Sequence, residues 1–270
     1  MKTIPLPSNR RRAFTLVELL TVIAIIAILA AMLLPVISAA KNKAKVTQAK
    51  IQVQDIVTAV QAYDSAYSRF PASANAQNAA IQNGIVLNNP NGDFTYGGPF
   101  TNASGFSTWI GTQNYQANNA EVMAILMNIT NYPNTTTPTI NTNSQKNPQR
   151  TVFLNAKMVG DTVTWPGVGP DLVYRDPWGN PYIITMDLNY DEQCQDAFYS
   201  MKNVSWTGTG SQGYNGLVNP NFIPKNQNDF QYHGKVMVWS MGPLVGGKSA
   251  FDVGLPATDP VNKNHILSWQ

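Results

Sequence analysis

The chain has 270 residues, of which only 12% are charged, and Asn, Thr, Gln and Gly are abundant. The formal charge of +3 arises from Lys2, Arg10, Arg11 and Arg12; beyond Ala13 there are 14 basic and 15 acidic residues. That balance leaves no electropositive footprint for nucleic acid, and a single cysteine, Cys194, excludes an intrachain disulfide framework.

Phe14 to Leu34 forms an apolar run interrupted only by Glu18. As a helix rising about 1.5 Å per residue, 21 residues span about 31 Å, the hydrocarbon thickness of a bilayer. The arginines before it place the N-terminus in the cytoplasm. A cleaved secretory signal ending at Ser38-Ala39-Ala40, a twin-arginine signal at Arg11-Arg12 and a plain single-span anchor all fit the composition. None of the three accounts for a carboxylate in lipid, which is costly unless paired.

After Pro35, apolar or aromatic residues recur at Val46, Ala49, Val53, Ile56, Val60, Tyr63 and Tyr67. Spacings alternating between three and four predict a helical seam that packs on a globular domain, or a short coiled coil. Lys41, Lys43, Lys45 and Lys50 cluster just beyond the membrane, and Pro71 ends the pattern. Residues 71–150 read as a polar, Asn/Thr-rich loop region that decorates the surface. Within it, residues 120–133 carry the spacing of one short helix.

From Thr151 onward the pattern turns to strands. TVFLNAKMV, TVTW, DLVYRDPWGNPYIITMDL and KVMVWSMG carry β-branched and aromatic residues, and Asp176 to Pro181 reads as a turn between two strands.

The N-terminal segment resembles the cleavage and methylation motif of type IV prepilins and type II secretion pseudopilins. The resemblance places cleavage between Ala13, where the family usually has Gly, and Phe14, the methylated residue of the mature chain. Glu18 takes the place of the family's acidic assembly residue, and Pro35 that of its helix-kinking proline. AVQAYDSAYSRFP, DPWGNPY and VMVWSMGP are similar to stretches of major pseudopilins.

The resemblance implies an α+β fold, with a long membrane-embedded N-terminal helix packed against a C-terminal antiparallel β-sheet head. It divides the chain into a leader (1–13), an assembly helix (14–34), its soluble continuation (35–70), the polar region (71–150) and a β-rich head (151–270). Its implied partners are identical subunits in a helical filament, a prepilin peptidase, the type II secretion or pilus machinery and the inner membrane. An adhesive pilin and a membrane-anchored monomeric binding protein are the alternatives.

The remaining motifs carry less. Gly242 to Ser249 spells the phosphate-loop pattern, but the broken sequence after it offers no helix to complete the motif. The family's calcium loop falls in the same segment, with Asp252 as its candidate acidic ligand and Leu244 where another acid is expected. Asp187, Asn189 and Asp191 open like an EF-hand loop that Glu192 and Phe198 then break. His233 and His265 read as surface or turn residues, and nothing in the sequence couples either one to a nucleophile. The chain reads as a substrate of an enzyme rather than an enzyme.

Overall fold

A computed structural model describes residues 15–86, 92–97, 100–101, 107–108, 115–160, 165–222, 228–243, 251–252 and 254–270. The chain divides into two compact units, residues 1–44 and 45–270. Helix α1 (Leu16–Tyr67) supplies residues to both.

In the first unit, every residue from Thr15 to Ala44 is exposed. Pro35 lies within the helix, where its missing N–H removes one backbone hydrogen bond.

The second unit is built around a four-stranded antiparallel sheet, and the seam residues of α1 are its central packing element. Ala49, Val53, Ile56, Ala59, Val60 and Tyr63 are buried, and Val46 and Tyr67 are partly so, as the spacing predicts. In chain order the remaining helices are α2 (Ala74–Val86), α3 (Ala120–Leu126) and α4 (Lys202–Ser205). The strands are β1 (Phe94–Tyr96), β2 (Phe100–Thr101), β3 (Ser107–Thr108), β4 (Gly167–Val168), β5 (Tyr174–Arg175), β6 (Ile183–Met186), β7 (Gln193–Cys194), β8 (Tyr232–His233), β9 (Val236–Ser240) and β10 (Ile266–Leu267). The main sheet has the order β1-β6-β9-β10, and the other strands form two-stranded pairs.

Side chains alternate across a strand, and here both faces of the sheet are covered. Phe94, Tyr96, Ile184, Met186, Val236, Val238 and Ile266 share one core with the α1 seam and α3. Ile183, Met237, Trp239 and Leu267 point into a second core with Phe198, Tyr199, Leu217 and Phe230. Burial on both sides explains why these strands read as continuous apolar runs rather than as alternation.

Described parts of the polar region belong to the core of the second unit. Its Ala-rich α2 buries Ala76, Ala79 and Ala80, and its β1 is the sheet edge paired to β6. Helix α3 stops at Leu126, short of Pro133, because Asn128 takes a left-handed conformation (φ 53°). The Asn128 and Ile129 amides donate to the Ile125 and Ala124 carbonyls, the Schellman arrangement that ends helices. Side-chain amides of Asn141 and Asn147 also donate to those two carbonyls. The Phe153 and Leu154 amides donate to Leu126. Asparagine is used here to satisfy the carbonyl end of a buried helix.

TVFLNAKMV is a correction to the strand expectation: it is irregular apart from a single bridge between Met158 and Val168. Of TVTW, only Trp165 lies within the described residues. The Asp176–Pro181 turn forms as predicted, with Asp176 N–H donating to Asn180 O and Tyr182 N–H to Tyr174 O.

Buried Asp176 ties its loop to the sheet. Asp176 accepts from Ser240 Oγ at 2.6 Å and from the Trp178 and Asn180 amides at 2.9 Å. Asn180 in turn donates to Gly242 O at 3.0 Å. Gly242 itself has φ 69°, and a Cβ there would lie 2.3 Å from Asn264 O, so the turn admits only glycine.

Burial pushes the Asp176 carboxyl up to about 6, against the pull of these donors. A folded-state pKa above the unfolded value near 3.9 gives stability that is complete at low pH and is lost as pH rises through about 6. The two-unit shift corresponds to roughly 3 kcal/mol. Asp93, Asp187 and Asp196 are raised by burial as well, so they act in the same direction. Thermal melts of the full chain in detergent should give a higher midpoint at pH 5 than at pH 8. Asp176→Asn should flatten that difference measurably, and an unchanged pH profile would refute the assignment.

Candidate assembly and processing site

The first helical turn is built by a local sequence signal. Thr15 precedes the helix and Glu18 is its third residue, giving the T-x-x-E capping box. Glu18 N–H donates to Thr15 Oγ1 at 3.2 Å. Glu18 Oε2 accepts from both the Thr15 amide and its hydroxyl at 2.8 Å. The acid also sits at the positive end of the helix dipole. Sequence reasoning assigned Glu18 to subunit pairing and missed this intrachain partner, although the Thr15-to-Glu18 spacing carried the signal. Within a single chain the carboxylate is therefore hydrogen-bonded, through Oε2, to Thr15.

Around it Leu16, Val17, Leu19, Leu20, Val22 and Ile23 are exposed, and the helix contains a stretch long and apolar enough to cross a membrane. Ala13 and Phe14, the expected processing pair, lie outside the described residues.

The other candidate sites resolve differently. Strand β9 is paired antiparallel to both β6 and β10. Among the described residues after Gly242 no helix occurs, so the phosphate-loop pattern lacks the strand-to-helix setting it requires. Residues 244–250 lie outside the described set.

Asp252 Oδ1 accepts from Gly254 N–H at 2.8 Å, and its own N–H donates to Asn262 Oδ1. Asp187 accepts from the Asp191 and Glu192 amides, and Asp191 from the Gln193 amide, so this loop directs its carboxylates onto its own backbone. Among the described residues no group of three or more His, Cys, Asp or Glu side chains could hold a metal ion.

His233 is exposed, as expected, and bonds Gln193. His265 is not a surface residue. It is buried beside Trp239 with Nδ1 2.7 Å from the Tyr199 hydroxyl. Cys194 is buried, and burial pushes its thiol well above the usual range, the opposite of a nucleophile.

Residues 8–34 match the family model described as the prokaryotic N-terminal methylation motif. No curated protein and no solved structure matches the chain. The chain thus carries the N-terminal methylation motif at the start of a long apolar helix, joined to an antiparallel sheet, an α+β arrangement of pilin-like architecture. The motif is that of prepilin-peptidase substrates.

Proposed function

We propose that the chain is a structural subunit of a pseudopilus or pilus-like filament at the inner membrane, with its head on the periplasmic side. Prepilin peptidase removes residues 1–13, and the amine freed at Phe14 is methylated. In the filament that amine neutralises Glu18 of an adjacent copy, where a one-residue slip would leave both charges unpaired in an apolar surround. The observation that carries this reading is a fully exposed apolar stretch at the start of α1 with a single acid in its first turn, inside a matched methylation motif. The likeness of DPWGNPY and VMVWSMGP to major pseudopilins favours type II secretion over a surface pilus.

Mass spectrometry of the mature N-terminus tests it. The expected chain begins at Phe14, is 13 residues shorter than the precursor and carries one added methyl group. A start at Met1 or Lys41 would overturn the assignment.

A further inference from the structure

A cavity of about 380 Å³ opens in the second unit between the end of α1, helix α2 and the loop after β6. Its walls are Phe70, Ala72, Ile81, Leu188 and Tyr190, and its polar lining is Gln77, Arg69 and Lys146. The volume falls in the range of small-molecule sites, which pair an apolar lining with a few fixed polar groups.

The two cations are held together by the fold. The Lys146 carbonyl accepts from Tyr63 Oη at 2.5 Å and from Arg69 Nη2 at 3.1 Å, while its amide donates to Asn141 Oδ1. Arg69 also lies over the Tyr67 ring at 5.7 Å. The Lys146 backbone is therefore pinned beside Arg69, and both residues line the same cavity. Burial first, and then Arg69, hold that ammonium below its usual range.

Among the described residues no carboxylate forms an ion pair with Arg69 or Lys146. Of the 15 acidic residues only Asp161 falls outside the described set. The ion pairs among the described residues are Arg175–Asp171 and Lys235–Asp64. Glu121 acts on Lys146 at a distance, but its oxygens accept the Tyr96 and Tyr115 hydroxyls. Asp187 and Asp191 flank Leu188 and Tyr190 in sequence, yet they bond the amides of their own loop. Arg69 Nε is buried without a hydrogen-bond partner.

Like charges confined in a partly apolar cavity repel more strongly than they would in water, and a bound anion relieves that repulsion. The apolar wall selects among anions. Tyr190, which is exposed, stacks on the buried Phe70 with ring centroids 5.3 Å apart and an interplanar angle of 30°, so an aromatic ring borders the cavity. We propose that this cavity binds a small organic carboxylate with an aromatic or branched apolar body. Its carboxylate meets Lys146 and Arg69, and its body lies against Phe70, Tyr190 and Ile81. The inference is independent of filament assembly.

The test is titration of the full chain in detergent micelles with benzoate and with phenylacetate, each set against its neutral amide, followed by calorimetry and ligand-observed NMR. At least one carboxylate should bind saturably below about 10 mM and at least tenfold more tightly than its amide. Lys146→Met should weaken binding at least tenfold with an unchanged melting midpoint, and Lys146→Arg should retain it. Absence of saturable binding by both acids, equal binding of the amides, or wild-type affinity in Lys146→Met would each overturn the proposal.

Discussion

Replacing Glu18 by glutamine should leave the first turn of α1 intact and yet lower filament assembly by roughly an order of magnitude or more. Glutamine serves in a capping box as glutamate does, so the bonds between residue 18 and Thr15 survive the change. What disappears is the negative charge, the only feature that can neutralise a neighbouring terminal amine in an apolar surround. Alanine at the same position would confound helix fraying with charge loss, because it removes both.

Thr15→Val separates the effects in the other direction. It deletes the hydroxyl that bonds Glu18 while keeping the charge, and assembly should fall much less than with Glu18→Gln. Crosslinking between copies and sedimentation of filaments read the outcome. Wild-type assembly by Glu18→Gln, with the N-terminus correctly processed, would remove the basis for charge pairing.

The largest stability effect is expected at Asp196. This carboxylate is fully buried between the sheet and the loop after β7, and it accepts from Thr185 Oγ1 at 2.6 Å, Trp239 Nε1 at 3.1 Å and the Phe198 and Tyr199 amides at 2.9 Å. Thr185 also contacts Thr95 on β1, so one acid joins three segments distant in sequence. Alanine would strand four buried donors, each costing about 1–3 kcal/mol when unsatisfied.

A total near 4 kcal/mol or more is a large share of the usual 5–15 kcal/mol of a folded domain. The midpoint should fall by about 10 °C or more. Asp196→Asn keeps the shape and an acceptor oxygen and should cost less than half as much. Near-ultraviolet circular dichroism of the full chain, to which Trp239 contributes as one of six tryptophans, follows both variants. A Tm for Asp196→Ala within a degree or two of wild type would show that the network is dispensable.

The α1 seam and the Asp176–Pro181 turn were legible because each is a local rule: a 3.6-residue period exposes a packing face, and Pro, Gly and Asn preset turn dihedrals. Helix α2 was hidden because Ala76, Ala79 and Ala80 bury little area each and leave no strong apolar period. Strand β1 spans only Phe94–Tyr96, too short for alternation to show. The stretch 151–159 has strand composition, but its Phe153 and Leu154 amides turn to the Leu126 carbonyl, a partner that no local pattern announces.

The sequence by itself determined the membrane-length helix, the acid within it, the charge asymmetry before it and the soluble seam, because periodicity, capping and hydropathy act over a few residues. Only the tertiary structure decided that asparagines seal a helix end, that Asp176 and Asp196 anchor loops to the sheet, and that Arg69 and Lys146 share one cavity. Those outcomes depend on residues brought together across 11 to 77 positions, where burial rather than residue type sets what each polar group must find.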